Sequence, residues 1–233
     1  MTRHRHSFCI LTLAVFVTTG TSLAPAQSTP IGLLSKVIND VTRKAPQTEW
    51  TRAAKGDMVG TGHQVRTGDR SFAILKFSDN TMVRIREASE LTVTGAVDGE
   101  KFSKSVDLNS GAVGFKVQRQ RVGEEFRFTS PTSVASVRGT DGLFSATTSG
   151  DTLIISSGTV SLLNRITQNT VDVPEGFTGV STPDGSIISR TSTREERRSA
   201  AEAVRTGDQP RQLKLQLRTP DGEKRDLIID YKE

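Results

Sequence analysis

The chain has almost none of the side chains from which most catalytic and metal centres are built. It holds one cysteine, three histidines, one tryptophan and one tyrosine in 233 residues. Cys9, His4 and His6 all fall in the first 26 residues, so His63 is the one histidine beyond them. Zinc needs several Cys or His ligands, which argues against a zinc centre. A serine triad would have to use His63 as its base, and no Gly-x-Ser-x-Gly elbow occurs. His63 stands between Gly62 and Gln64 and reads as an ordinary turn or surface histidine. Thr140-Asp141-Gly142 has the wrong order for an aspartic-protease loop, and Asp141 suits an Asx-type turn instead. The acidic pairs Glu124-Glu125 and Glu195-Glu196 read as solvated charges, not as glycosidase carboxylates. Asp69, Asp79 and Asp98 lack the spacing of a calcium loop. The expectation is a non-enzyme with no metal and no cofactor.

Long apolar runs are also missing. The longest apolar stretch, Phe8 to Val17, is interrupted by Thr12 and is too short to cross a bilayer, which takes about 20 residues. With Arg3 and Arg5 before it and Ala24-Pro25-Ala26 after it, residues 1–26 read as a secretory signal peptide cleaved after Ala26. The mature protein is then expected in the periplasm or outside the cell and does not span the membrane. It carries no cysteine, so a packed core must hold it together without disulfides. Loss of Arg3 and Arg5 lowers the formal charge from +5 to +3. That mild bias, without a dense basic patch, argues against nucleic-acid binding.

From Lys36 to Arg190 the dominant period is two. Val83 and Ile85 alternate with Arg84 and Arg86, Val113, Phe115 and Val117 with Gly114 and Lys116, and Phe126 and Phe128 with Arg127. Alternation of this kind marks half-buried antiparallel strands. Phe72 to Phe77 and Leu153-Ile154-Ile155 are apolar on both faces and read as central strands. Turn residues recur at short, even intervals: Thr67-Gly68-Asp69, Ser78-Asp79-Asn80, Val97-Asp98-Gly99, Asn109-Ser110-Gly111, Ser149-Gly150-Asp151 and Ser157-Gly158. Many short strands so spaced predict an all-β fold, a β-roll or β-sandwich.

Two blocks carry a further signal. Val65-Arg66-Thr67-Gly68 leads into Ser71-Phe72-Ala73-Ile74-Leu75-Lys76-Phe77-Ser78-Asp79-Asn80-Thr81, and Val137-Arg138-Gly139-Thr140 follows later. In this order they resemble the FecR family. Trp50, Ala54 and Gly56-Asp57 match that family's opening, Asn109 to Val113 and Phe126 to Pro131 its middle, and Ser157 to Val160 and Val171 to Gly176 its end. Asn80 stands where the family commonly has Gly, and Asn also tolerates positive φ. The resemblance implies a binding or sensing module outside the cytoplasmic membrane, contacting a protein partner in the bacterial envelope. The alternative is an envelope polymer, peptidoglycan or polysaccharide, held by Arg84, Arg86, Arg119 and Arg121. Membrane-bound FecR regulators pair the outer domain with an anti-sigma segment and a membrane helix. Neither is found here, which implies a free-standing relative. For Arg138 two roles stand open: tying the loop by bonds to nearby carbonyl or carboxylate groups, with Gly139 supplying an unusual backbone angle, or contacting an anion or partner.

The tail changes character. The expected division is residues 1–26 as signal peptide, 27–190 as the FecR-like β domain and 191–233 as an appendage. Thr193 and Glu196 have capping-box spacing, and Gly207 is a plausible helix stop, so a short surface helix is predicted between them. Leu213, Leu215 and Leu217, the turn Pro220-Asp221-Gly222, and Leu227, Ile229 and Tyr231 spell a β-hairpin with one apolar row. That row can dock on the β domain or on a partner's sheet edge. The rule that consecutive elements pack together favours the first.

Overall fold

The computed structural model describes residues 30–98, 101–205, 211–218 and 224–231, with side chains over 30–96 and 103–205. The segment read as a signal peptide, the stop at Gly207 and the hairpin turn lie outside the described residues. Residues 30–191 form one 17-stranded sheet that doubles over into two layers.

The first layer runs, in spatial order, β4 (Met58–Gly60), β1 (Pro30–Ile38), β6 (Phe72–Phe77), β7 (Met82–Ile85), the end of β9 (Lys101–Lys116), β12 (Asp141–Thr147), β13 (Gly150–Ser157), β16 (Phe177–Ser181) and β17 (Ile187–Thr191). The second runs β3 (Thr51–Arg52), β2 (Val41–Lys44), β5 (His63–Thr67), β8 (Ser89–Asp98), the start of β9, β10 (Glu125–Thr129), β11 (Ser133–Val137), β14 (Thr159–Asn164) and β15 (Thr170–Pro174). Every pairing is antiparallel except β9 with β10. From β10 onward the chain lays down hairpins alternately: β10–β11 in the second layer, β12–β13 in the first, β14–β15 in the second, β16–β17 in the first. This alternation is the physical origin of the even turn spacing in the sequence.

The period-two residues fill the space between the layers. Ala73, Leu75 and Phe77 of β6, Val113 and Phe115 of β9, and Phe126 and Phe128 of β10 belong to one buried cluster. Phenylalanine rings meet across the two layers: Phe77 packs edge-on to Phe126 at 5.2 Å, and Phe115 lies 4.7 Å from Phe128. Such pairs add about 0.5–1.5 kcal/mol beyond the area they bury.

The strand order departs from expectation at Asn109-Ser110-Gly111. These residues are not a turn. β9 runs straight through them and passes from one layer to the other there, at Gly111, where a Cβ would lie 2.5 Å from Ser89 Cα. His63 also departs from its reading: it lies in β5 at 9% exposure, because the alternation His63-Val65-Thr67 faces inward. Burial, with the Arg43 charge adding to it, lowers its pKa below the usual imidazole value.

The predicted helix is α1 (Arg194–Ala203). Its capping box is complete: Glu196 N–H donates to Thr193 Oγ1 at 3.2 Å, and Thr193 N–H donates to Glu196 Oε2 at 2.7 Å. The hairpin is also present as β18 (Arg211–Arg218) and β19 (Lys224–Tyr231), in a register that sets Leu213 opposite Ile229 and Leu215 opposite Leu227.

Candidate functional site

Three places gather polar chemistry, and the family-like motifs account for the first of them. Asp79, in the turn between β6 and β7, accepts from the Lys104 ammonium, from Thr81 N–H and Oγ1 at 3.0 Å each, and from Gln120 Nε2 at 3.2 Å. Asn80 takes the positive φ that the turn requires, at 65°. Burial alone would raise the Asp79 carboxyl, but the Lys104 hydrogen bond and the amide donors outweigh it and hold its pKa below the usual carboxylate range. Lys104 is 2% exposed. The Ser78-Asp79-Asn80-Thr81 motif therefore works as a buried clamp on β9 and on the loop after it. Thr67 does the same for the Val-Arg-Thr-Gly motif: its hydroxyl donates to Arg86 O and accepts from Ser89 N–H.

That clamped loop, residues 117–124, is the second place. Gln120 is buried, while Arg119 and Arg121 are exposed and Val122 stands 94% exposed between Arg121 and Gly123. Gly139, at φ 86°, sits against this loop, so that a Cβ there would come 3.0 Å from Arg119 Cα. Gly139 supplies the unusual backbone angle expected of it. Arg138 beside it is exposed and ties nothing: among the described residues the side chains of Arg119, Arg121 and Arg138 make no hydrogen bond or ion pair. Of the two readings of Arg138, the loop-tying one lacks its bonds. Arg119, Arg121 and Val122 thus stand exposed on a loop whose base is locked by Asp79, and Arg138 stands exposed beside the Gly139 that abuts it.

The third place lies on the outer face of the first layer, under α1. Ladder partners line up there as a row across the sheet: Thr178, Ile154, Leu143, Gly114 and Arg84. The helix follows this row. Thr178 donates to Glu196, Ala200 and Ala203 pack with Leu143 and Ile154, and Arg84 donates to the Arg205 carbonyl. The lengths agree. Four interstrand spacings make about 19 Å, and the rise from Thr193 to Arg205 makes about 18 Å. Gly114 makes the approach possible, since a Cβ there would fall 2.1 Å from the Ala203 carbonyl oxygen. The apolar-on-both-faces reading of Leu153-Ile154-Ile155 thus has its explanation: Leu153 and Ile155 face the core and Ile154 faces α1.

Arg84 and Arg86 belong to this third place and not to the loop of Arg119 and Arg121, so the structure divides the four polymer-contact candidates into two groups. Arg84 stacks on Phe72 at 4.3 Å. Burial, and then the neighbouring Arg86 charge, lower its pKa. At the other end of α1, Arg190 holds Glu196 through two hydrogen bonds of 2.9 and 2.7 Å, and the Glu196 carboxyl falls to about 2. No local pattern signals the Arg84 and Gly114 contacts with α1, because they join segments some 90 to 120 positions apart (121 for Arg84 and Arg205).

Elsewhere, Asp151 is 1% exposed and accepts from Ser130 and Ser133. Burial raises its pKa, and the two serines only partly offset this. Among the described residues no group of three or more His, Cys, Asp or Glu is placed to hold a metal ion, and no helix is long and apolar enough to cross a membrane.

The FecR protein family model matches residues 63–162, from the start of β5 into β14. No curated protein matches the chain. Two crystal structures of a protein assigned as an anti-sigma factor from Parabacteroides distasonis ATCC 8503, at 1.65 and 2.50 Å, are similar to it. Their TM-scores are 0.51 and 0.50, at 13% identity, over 68% of this chain and 69% and 68% of theirs. At that identity the likeness shows a shared fold.

Proposed function

Since residues 63–162 are a FecR domain, we propose that this protein is an exported, non-enzymatic signalling module that contacts a protein partner in the bacterial envelope. FecR domains and the anti-sigma-factor neighbours are regulatory, which supports a sensing role. The observation that carries the partner reading is the loop 117–124. It presents Arg119, Arg121 and an exposed Val122 on a base fixed by the Asp79 clamp, with Arg138 exposed next to Gly139, which abuts the loop, and among the described residues none of these three arginine side chains has an acceptor. Arginine is enriched at protein interfaces, and a loop held at its base loses less entropy on binding. A polymer-binding surface would instead favour exposed aromatic platforms. The one tryptophan, Trp50, is already covered by Arg66 at 4.1 Å.

Capture from envelope extract, run beside sedimentation with purified cell wall, tests this reading. The wild-type protein is expected to retain a defined partner that the triple variant R119Q/R121Q/R138Q loses, with neither protein sedimenting. Co-sedimentation with cell wall, abolished by the same variant, would replace the protein partner by an envelope polymer. Export is tested separately by fractionation and N-terminal sequencing, with Gln27 expected as the first residue. An intact N-terminus on cytoplasmic protein would overturn it.

A further inference from the structure

The notch at the C-terminal end of α1 is a cavity of about 230 Å³ bounded by Arg70, Phe72, Arg84, Arg86, Glu87 and Glu202. Three arginines and two glutamates line it. Both carboxylates are engaged: Glu87 accepts from Arg70 N–H at 3.0 Å, and Glu202 accepts from Arg198 at 3.1 Å. Arg84 is held by Phe72 and by the Arg205 carbonyl. Arg86 is half-buried, two positions along the same strand direction, and its side chain makes no hydrogen bond or ion pair among the described residues. Two neighbouring guanidiniums in a partly dry notch repel one another, and a shared anion between them turns that repulsion into two charge-assisted hydrogen bonds. Glu202 is paired with Arg198, so the arginines of the notch exceed the carboxylates left to balance them and the notch favours an anion, with Glu87 in the lining opposing a doubly charged phosphate more than a monoanion. A planar carboxylate also matches the guanidinium fork, and the volume admits a carboxylate group but not a whole sugar ring with its neighbours.

We propose that the notch between β7 and the end of α1 is a carboxylate-binding site, with Arg86 as its principal donor and Arg84 as the second. The carboxylate can come from an acidic peptide or from a uronic-acid or stem-peptide group of an envelope polymer. The proposal stands apart from the partner-contact loop, which lies elsewhere on the molecule, and the isolated protein is enough to test it.

The test is an NMR titration that follows the arginine Nε–Hε resonances with sodium acetate against sodium chloride at matched ionic strength. Acetate is expected to move Arg84 and Arg86 saturably while Arg119 and Arg121 stay still. Loss of one charge-assisted bond in Arg86→Gln is expected to weaken the Arg84 response about tenfold or more. Should Arg86→Gln not fold, the wild-type contrast between the two arginine groups decides. A short Glu-containing peptide and an oligouronate then serve as the two arms, and tighter binding by one identifies the source. Equal movement with chloride, or equal movement of Arg119 and Arg121, would overturn the site. Phosphate binding as tightly as acetate would overturn its carboxylate character.

Discussion

Replacing Gly114 by alanine would be a large perturbation for a single methyl group. The new Cβ would stand 2.1 Å from the Ala203 carbonyl oxygen and 2.5 Å from its carbon, both backbone atoms that no rotamer change can move aside. The C-terminal half of α1 must lift. It then gives up the Arg84 bond to Arg205, a charge-assisted contact of about 1.5–3 kcal/mol. It also exposes the Ala203 methyl, about 0.8 kcal/mol, and part of Leu143, roughly 1 kcal/mol. The lower entropy of an unfolded chain with alanine in place of glycine returns about 0.5 kcal/mol. The net expectation is a loss of about 3–4 kcal/mol, or roughly 10 °C in Tm for a domain of this size. Urea denaturation of wild type, Gly114→Ala, Arg84→Gln and the double variant checks it. If the helix lifts, Arg84 has no carbonyl left to lose, so the two substitutions should be non-additive by most of the Arg84 term. A Gly114→Ala protein within about 0.5 kcal/mol of wild type, or strict additivity with Arg84→Gln, would refute the close approach of α1 to Gly114.

Three further outcomes follow from the same contacts. Lys104→Met leaves Asp79 half-buried without its ammonium and should cost about 3–5 kcal/mol by calorimetry or denaturant melts. Its partner variant, Lys104→Met with Asp79→Asn, should recover part of that loss. Glu196 has a folded-state pKa lowered from 4.5 to about 2, so its contribution is present above pH 4.5 and fades as pH falls toward 2. Glu196→Gln should accordingly be less stable than wild type at pH 6 and converge on it near pH 2, and a constant gap across that window would sink the assignment. Ending the chain at Thr206 removes β18 and β19. Self-docking of the hairpin predicts a lower Tm with no partner present, whereas an unchanged Tm with lost partner capture makes the hairpin a recognition element.

Much of the architecture was readable from alternation and turns because each hairpin is a local event. Val113-Gly114-Phe115, Phe126-Arg127-Phe128 and the Asp79 turn announce themselves within ten residues. So does the capping box, which needs only Thr193 and Glu196. What stayed hidden was decided at long range. Asn109-Ser110-Gly111 has turn composition but continues as strand, because both halves of β9 have a ladder partner on each side. His63 sits among turn residues yet is buried, because β5 is flanked by β2 and β8. The arginines are legible in the sequence, but their division into a loop group and a notch group depends on where α1 lies. The role of Gly114 has no local signature at all: its meaning is set by a carbonyl at position 203.

The alternating hairpins of the C-terminal half carry a consequence for how the chain acquires its shape. Once β9 is in place, β10 and β12 add to its two ends, and each later hairpin needs only the hairpin laid down two steps earlier: β14 adds to β11, and β16 adds to β13. The pairing is therefore incremental on both layers, and each added hairpin closes only a short loop, with a small closure entropy. Such a ladder has no fixed length. Its end at β15 and β17 is a stopping place and not a closure, and adding or deleting one pair of hairpins would lengthen or shorten the body without disturbing the clamp at Asp79 or the crossing at β9.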